Sequence, residues 1–114
     1  MRRQQRLRHR RDFAAVYRSG RSYAQGPLAL RTRANPATAA PRFGFAVGKR
    51  LGGAVVRNRI KRRLREAARA SGAEGSTDVI VIARYGAEQA SSREIKETLH
   101  ALLERSGLLS VEST

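Results

Sequence analysis

The continuous aliphatic run Val79–Ala83 constrains the fold of this chain more than any other feature of its sequence. A run of this length suits a strand, and it is far shorter than the roughly 20 apolar residues that a membrane-spanning helix needs. Strands that are apolar at every position are typical of sheets covered on both faces. The run therefore predicts a strand that lies inside the molecule, with other elements packed against both of its faces.

Two other segments have the alternating pattern of half-buried strands. Apolar or β-branched residues occupy every second position in 28–33, and the same pattern recurs in 43–48, where small residues alternate with larger apolar ones. Residues 35–41, between the two segments, have the composition of a turn. We predict two strands here, with Phe43 and Phe45 in the core, and leave open whether a third strand precedes the long helix.

Three segments show the spacing of amphipathic helices. The first stops near Gly20, the second follows the glycine pair at 52–53, and the third starts with Ser91 and Glu94 at capping-box spacing. The order helix, strands, helix, strand, helix predicts a single-domain α+β fold, with one mixed sheet and helices packed on it. The predicted apolar stripes are Phe13, Val16 and Tyr17 in the first helix, Val56, Ile60, Leu64 and Ala67 in the second, and Ile95, Leu99, Leu102 and Leu103 in the third.

The positive charge of the chain is concentrated in its N-terminal two thirds. The sequence has 24 Lys and Arg against 9 Asp and Glu, a net charge of +15. Residues 1–69 carry 20 basic and 2 acidic side chains, whereas residues 70–114 carry 4 and 7. Positive charges at this density repel each other, which indicates that the N-terminal part binds a polyanionic partner. Only three of the cations are lysine, which fits bidentate contacts of arginine to phosphate but also fits a biased genome composition.

The segment 49–65 concentrates this charge, with eight cations and no acid. Glycines before a helix let the backbone approach a phosphate, and a helix of this length projects its cations along about 25 Å. A solvated helix face is the ordinary explanation of a charge run, but such faces normally mix charges of both signs. The segment therefore predicts a helix that binds phosphate groups.

The sequence around this helix resembles the hallmark segment of the bacterial ribonuclease P protein family. Residues 44–50 read Gly-Phe-Ala-Val-Gly-Lys-Arg and residues 54–62 read Ala-Val-Val-Arg-Asn-Arg-Ile-Lys-Arg. The Arg-Asn-Arg-Ile-Lys-Arg core at 57–62 is much more specific than a generic basic helix. The resemblance extends over most of the chain, from about residue 6 to residue 106.

The resemblance implies both a fold and a function. The fold is a compact α/β sandwich in which the strand–helix–strand crossover around the basic helix is left-handed, against the usual right-handed preference. The function is that of a protein subunit that binds a catalytic RNA and the 5′ leader of precursor tRNA. We predict one RNA-binding domain over 1–114, with a basic arm at 1–10 and a flexible tail at 107–114.

The resemblance also assigns two sets of RNA-contacting residues. The leader-binding cleft falls on Phe13, Tyr17 and Arg31. Arg31 stands where some members carry an aromatic residue, and Ala46 and Gly48 stand where many carry serine, so we expect weakened or altered leader contact rather than its loss. From the residues alone, Phe13 and Tyr17 could instead belong to the core. The set that meets the catalytic RNA is Lys49, Arg50, Arg57, Asn58, Arg59, Lys61, Arg62 and Arg65.

No catalytic or metal-binding residue is predicted in the protein. Asp12 and Glu66 are the only acids before residue 74, and neither His9 nor His100 is accompanied by the carboxylate cluster of a nuclease. We assign Asp12 and Asp78 ordinary capping or solvating roles. The absence of cysteine excludes disulfides, thiolate metal sites and thiol catalysis. According to the resemblance, Mg²⁺ held mainly by the RNA cleaves precursor tRNA at its mature 5′ end.

Two other functions are compatible with the same charge and size. One is a ribosomal or other structural RNA-binding protein, and the other is a stand-alone protein nuclease, which the missing acid cluster disfavours. The expected partners are the catalytic RNA subunit and precursor tRNA. We expect no obligate protein partner, no membrane association and a cytoplasmic location.

Overall fold

The computed structural model describes residues 5–109, which form a four-stranded mixed sheet and three α-helices. The strands lie in the order β1-β2-β4-β3; β4 pairs antiparallel with β2 and parallel with β3. The α+β fold predicted from the sequence is confirmed, while the hand of the β3–α2–β4 crossover stays a prediction. The elements are α1 (Arg10–Ser19), β1 (Arg21–Gln25), β2 (Leu28–Ala34), β3 (Arg42–Val47), a 3-10 turn (Lys49–Leu51), α2 (Ala54–Ala70), β4 (Thr77–Ala83) and α3 (Ser92–Arg105).

β4 is an inner strand of the sheet, as its apolar run predicts. Val79, Ile80 and Val81 are completely buried. Val79 and Val81 belong to the main core beneath α2 and α3, whereas Ile80 belongs to a smaller cluster with Val16 of α1 and Leu7. The sheet is therefore covered by two helices on one face and by α1 on the other.

The main core is built from the stripes predicted for α2 and α3. Val56 is half-buried at its edge, and the two rings of Phe43 and Phe45 stack at its β3 side, with centroids 6.3 Å apart. Both hydrogen bonds of the predicted capping box form between Ser91 and Glu94 at the start of α3. The predicted stripe residues that are buried are Ile60, Leu64, Ala67, Ile95, Leu99, Leu102 and Leu103.

α1 crosses the opposite face of the sheet along one row of paired residues. Gly44 of β3, Ile80 of β4 and Arg31 of β2 are direct neighbours in this row. The Phe13 ring lies on Gly44 so closely that a Cβ atom there would lie only 2.8 Å from its Cε1 atom. Val16 lies fully buried in the cluster with Ile80. Glycine at position 44 is therefore what lets α1 approach the sheet.

Asp78 has a different role from the capping or solvating one expected for it. Its carboxylate is 2% exposed and accepts hydrogen bonds from Arg42 Nε at 2.8 Å, Arg42 Nη2 at 2.9 Å and Asn35 Nδ2 at 3.0 Å. Arg42 Nη2 also lies 3.9 Å from the Asp12 carboxylate. The hydrogen bond with Asp78 raises the pKa of Arg42, and partial desolvation opposes this rise. The expectation for Asp78 was wrong because the residue joins the starts of β3 and β4 through a buried ion pair.

The ends of the described chain contribute to the two cores. The N–H of Leu7 donates to the carbonyl oxygen of Phe43 at 2.9 Å, and its side chain is buried near Val16. Leu108 is buried in the main core. Residues 1–4 and 110–114 of the predicted arm and tail lie outside the described residues, so the division into arm, domain and tail stays a prediction. No helix within residues 5–109 is long and apolar enough to cross a membrane.

Candidate nucleic-acid interface

The outer surface of α2 carries the cations predicted to meet RNA. Asn58 and Arg62 are exposed, and Lys61 and Arg65 are half-buried. Arg57 is also half-buried. A surface groove runs along the helix and is lined by Val55, Asn58, Arg59, Arg62 and Arg65. The structure therefore brings four of the predicted residues together around one concave, cationic surface.

The approach to α2 adds two further predicted residues at its N-terminal end. Lys49 and Arg50 are exposed on the 3-10 turn. Gly52 then turns the chain into the helix with a φ of 143°, a conformation that side-chain-bearing residues rarely adopt. The helix starts after Gly53, which has no side chain to cap the N–H groups of the first turn. This first turn of the helix contains no acidic residue. Its free N–H groups and positive dipole end therefore favour an anionic ligand, as the neighbouring cations do.

Two arginines on the side of α2 hold the loop between β4 and α3. Arg63 Nη1 donates to the carbonyl oxygen of Ala90 at 2.7 Å, and Arg59 Nη2 lies 3.4 Å from the carbonyl oxygen of Glu88. Arg59 thus serves the fold as well as the groove. The predicted RNA-binding set included Arg59 and left out Arg63, but the sequence did not show their loop contacts, because the partners lie 29 and 27 residues away.

A second open surface lies beside α1, on the face of the sheet opposite α2. Ala46, Ile82 and Ala29 are direct neighbours in the sheet and form one row across it. This row lies next to the row that α1 crosses, toward the carboxyl end of β4. These residues are only half-buried, although two of them lie on inner strands. Two of these three side chains are alanines, so the sheet surface next to α1 is left partly exposed. We call it the α1 cleft.

Helical geometry places Phe13 and Tyr17 on the cleft side of α1. Asp12 lies near Arg42 and Ser19 Oγ accepts from Arg33 Nε at 3.1 Å, so this side of α1 faces the amino end of β4. At 100° per residue, Phe13 and Tyr17 lie on the other side of the buried Val16. Phe13 is half-buried in the smaller core, whereas Tyr17 is 44% exposed. Phe13 therefore supports the core, as one alternative of the sequence analysis expects, whereas Tyr17 is exposed and its contact with the leader stays a prediction.

Arg31, the third predicted cleft residue, is engaged at the end of α1. Its Nη2 donates to the carbonyl oxygens of Tyr17 and, at 3.2 Å, Gly20, while its Nη1 donates to Ser22 Oγ. Its guanidinium carbon lies 5.9 Å from the centre of the Tyr17 ring. Helix C-termini leave carbonyl groups unpaired and favour a cation. Arg31 therefore fixes the end of α1 and the Tyr17 ring, and its stacking on a base stays a prediction.

One cation near the cleft was missed by sequence reasoning. Arg84 is exposed and follows Ile82 by two residues, beyond the cleft floor. Its N–H donates to the carbonyl oxygen of Pro27 at 2.8 Å, which continues the pairing of β4 with the β2 side past the last strand residue. Because alternate residues of an extended chain share a face, Arg84 lies at the far rim of the α1 cleft. Its position one residue after the aliphatic run was the available signal.

The acids of the described chain do not gather into a metal site. Within residues 5–109, no three His, Asp or Glu side chains come together in a group that could hold a metal ion. His100 is exposed on α3, with Nε2 2.8 Å from Glu104 Oε1. Asp12 and Asp78 are turned toward Arg42. The side chains described here offer binding surfaces for a polyanion rather than a ligand set for a metal ion.

Comparison with known proteins agrees with this geometry. The Ribonuclease P family matches residues 1–107 of the chain. The ribonuclease P protein component of Symbiobacterium thermophilum is 40% identical over 114 residues, which cover 98% of this chain and 99% of the relative. The corresponding protein component of Streptococcus pyogenes serotype M5 is 34% identical over 110 residues, or 96% of this chain and 92% of the relative.

Solved structures give the same result for the fold. The ribonuclease P protein of Staphylococcus aureus superposes with a TM-score of 0.84 at 32% identity, covering 93% of this chain and 98% of that one. The ribonuclease P protein of Thermotoga maritima superposes with a TM-score of 0.80 at 31% identity, covering 88% and 96%. Sequence and structure match over nearly the full length, and the resemblance found in the basic helix is confirmed. The chain belongs to the ribonuclease P protein family.

Proposed function

We propose that this chain holds the catalytic RNA of ribonuclease P against the outer surface of α2 and the 5′ leader of precursor tRNA in the α1 cleft. Family membership gives the enzyme itself: ribonuclease P is a ribonucleoprotein endoribonuclease of tRNA 5′ maturation, and the chain is its non-catalytic protein subunit. The assignment of each surface to one RNA, which the resemblance implies, is proposed for this chain. The place of action is the cytoplasm, where precursor tRNA would be met.

The observation that carries the proposal is the absence of acidic partners around the α2 groove. Within residues 5–109, the ion pairs are those of Arg42 with Asp12 and Asp78, Arg93 with Glu97, and His100 with Glu104, and none involves segment 49–65. Unneutralised cations on one surface repel each other unless a polyanion binds there. The phosphate backbone of RNA matches a groove that runs along a helix about 25 Å long.

The α1 cleft supports binding of a single strand rather than a duplex. Its floor includes the small side chains of Ala29 and Ala46, and its wall presents an exposed aromatic ring, Tyr17. Unpaired bases stack on such rings while nearby cations contact the phosphates. Arg84 and Lys49 are exposed cations at the carboxyl ends of β4 and β3, where the cleft opens. The leader is the single-stranded part of precursor tRNA.

The described residues do not fit a resident metal ion, since they contain no carboxylate or histidine group able to hold one. The proposal therefore assigns Mg²⁺ mainly to the RNA subunit and derives no step through it on the protein. What the protein contributes is binding: cations that lower the repulsion between the two RNAs, and a cleft that positions the leader.

Reconstitution tests this function. The purified protein is incubated with precursor tRNA and Mg²⁺, with and without a limiting amount of the family's catalytic RNA. We expect no cleavage by the protein alone and faster cleavage when the protein joins the RNA. Cleavage by the protein alone would identify a protein nuclease, and no gain over the RNA alone would identify a structural RNA-binding protein.

The assignment of the leader to the α1 cleft is tested with Tyr17. Because base stacking is worth about 1–3 kcal/mol, Tyr17→Ala should weaken binding of precursor tRNA to the holoenzyme several-fold or more, while mature tRNA binds as before. Tyr17→Phe keeps the ring and is the matched control. Adding Phe13→Ala should extend the loss, with the melting temperature recorded because Phe13 supports the core. A folded Tyr17→Ala variant that assembles and keeps the wild-type preference for precursor over mature tRNA would place the leader elsewhere.

A further inference from the structure

Three large apolar side chains are exposed in the part of the chain that the structure describes: Tyr17, Val55 and Tyr85. Tyr17 belongs to the α1 cleft and Val55 to the α2 groove. Tyr85 is 89% exposed, more than either of the others, and neither surface includes it. It is the second residue after β4. A fully exposed aromatic ring contributes little to the fold, and a single exposed apolar side chain is common on protein surfaces, so a binding role for Tyr85 has to be argued from its surroundings.

The loop that carries Tyr85 is held in place from both sides. At its start, the N–H of Arg84 donates to the carbonyl oxygen of Pro27 at 2.8 Å. At its end, Arg63 of α2 donates to the carbonyl oxygen of Ala90 at 2.7 Å. Backbone hydrogen bonds within the loop add to these contacts. The ring of Tyr85 therefore projects from an ordered support, which lowers the entropy cost of binding a ligand.

The surroundings of Tyr85 suit a nucleotide. Its neighbour Arg84 is an exposed cation at the rim of the α1 cleft, and Lys49 and Arg50 are exposed at the end of the adjacent strand β3. The one acid of the loop, Glu88, accepts a hydrogen bond from the N–H of Gly86. Aromatic rings beside cations are the combination by which proteins bind single-stranded nucleic acids, with the base on the ring and the phosphate on the cation.

We propose that Tyr85 is a stacking platform for an unpaired base of the leader at the point where the leader leaves the α1 cleft. The inference rests on the proposed function and extends it, because it adds a second aromatic contact outside the cleft. The leader is favoured over the catalytic RNA because Tyr85 directly follows Arg84, which lies at the rim of the α1 cleft. In addition, unpaired leader bases have free faces, whereas bases in folded RNA are largely stacked already.

The chain contains no tryptophan, so a single Trp introduced at the site reports on it alone. Tyr85→Trp is the reporter, and Val55→Trp in the α2 groove is the matched control. Each is assembled with the family's RNA, and precursor or mature tRNA is then added. We expect Trp fluorescence of the Tyr85→Trp protein to be quenched by leader-bearing precursor only. The Val55→Trp protein should respond to the catalytic RNA before any tRNA is added.

The outcomes separate this inference from the proposed function. If neither reporter responds and the wild-type protein fails to stimulate cleavage, the proposed function itself is wrong. If the Val55→Trp protein responds but the Tyr85→Trp protein does not, Tyr85 contacts no base and this inference is overturned. A full response of the Tyr85→Trp protein to catalytic RNA alone overturns the assignment to the leader. A response that depends on protein concentration without RNA overturns it too, because it shows that Tyr85 meets a second copy of the chain instead.

Affinity measurements with truncated leaders complete the test. Tyr85→Ala should weaken binding of precursor tRNA about fivefold or more, and Tyr85→Phe, which keeps the ring, should bind within about twofold of wild type. The difference from wild type should vanish once the leader is too short to pass beyond the cleft. Because the side chain is 89% exposed, neither change should alter the melting temperature measurably. An equal weakening with long leaders and with mature tRNA would contradict the inference.

Discussion

α2 and α3 lie on the same face of the sheet and bury similar apolar stripes, but their outer surfaces differ. α3 pairs its charges, with Arg93 Nε 2.9 Å from Glu97 Oε1 and a second pair further along the helix. It also starts with a complete capping box. α2 has a single acid, Glu66, and begins at Gly53 without a side-chain cap. The two helices thus pack on the sheet in the same way, but their solvent-exposed sides differ, because in the described part of the chain α3 has paired charges and a side-chain cap and α2 has neither.

The difference shows that the residues that pack on the sheet and the charged residues of α2 lie on separate faces of the helix. An apolar stripe is sufficient to bind a helix to the sheet, whatever its outer residues. Charge pairs and caps on the outer face add stability, each by a fraction of a kcal/mol to about 1 kcal/mol. α3 has these additions and α2 does not, so the outer face of α2 gives up local stability and leaves its cations without acidic ion-pair partners among residues 5–109, as the proposed contact with RNA requires.

The largest expected effects lie where the two helices are alike. Ile60 of α2 and Leu99 of α3 are 0% and 1% exposed. Ile60→Ala and Leu99→Ala should each lower the free energy of unfolding by roughly 2–5 kcal/mol, because apolar burial is reduced and a cavity is left behind. Urea unfolding followed by circular dichroism measures both. A decrease under about 1 kcal/mol for Ile60→Ala alone would break the equivalence of the two stripes.

The next effect lies where the helices differ. Arg62→Ala with Arg65→Ala on α2 should weaken binding to the catalytic RNA and flatten its salt dependence by about 0.7–0.9 in slope for each phosphate that the helix no longer binds. The matched control is Arg93→Ala with Lys96→Ala, which removes the same charge from α3. The measurement is binding affinity at several salt concentrations. Equal slopes in the two double variants would show that charge alone, and not its place on α2, determines RNA binding.

A smaller effect, on the free energy of unfolding, should distinguish the cations of α2 that support the fold from those that do not. Arg63→Ala removes the hydrogen bond to the carbonyl oxygen of Ala90 and should lower the free energy of unfolding by about 1 kcal/mol. Arg62→Ala removes an exposed side chain from the α2 groove and should change it by less than about 0.5 kcal/mol. Thermal unfolding of both variants makes the comparison. The reverse order of stability would mean that Arg62, not Arg63, supports the fold.

The smallest effect is expected on the outer face of α3. Glu97→Gln breaks the pair with Arg93, whose side chain is 88% exposed. Exposed pairs of this spacing are worth about 0.3–0.5 kcal/mol and are screened by salt. The decrease in stability measured at low salt should therefore disappear near about 1 M salt. A decrease that persists at high salt would show that the contribution of Glu97 is not electrostatic.

Features that repeat locally could be predicted from the sequence. The stripe of α2 shows in the spacing of Ile60 and Leu64, and the start of α3 shows in the three-residue separation of Ser91 and Glu94. The aliphatic run indicated the inner strand β4, because this pattern too lies within one element. β1 was harder to predict, because an edge strand whose one inward residue is Tyr23 has no apolar alternation. Local physics is sufficient where a pattern repeats within one element.

Features that depend on distant partners were not predicted. The carboxylate of Asp78 meets Arg42 across 36 residues, and Arg31 meets the end of α1 across 14. A helical wheel cannot show that Arg59 and Arg63 face a loop that folds back beside them. The predicted RNA-binding set therefore included Arg59 without its contact to the loop, and Arg31 was assigned to a ligand without its contact to α1. These partners become visible only when the sheet is assembled.

The dimensions of the α1 cleft depend on glycine at both ends of α1. Phe13 rests on Gly44, and a Cβ atom at Gly20 would lie 2.8 Å from the carbonyl oxygen of Thr32. The close approaches at Gly44 and Gly20 therefore set the height of the helix above the sheet. The shape of the cleft consequently depends on two missing side chains, whereas the contacts it offers depend on the side chains that are present.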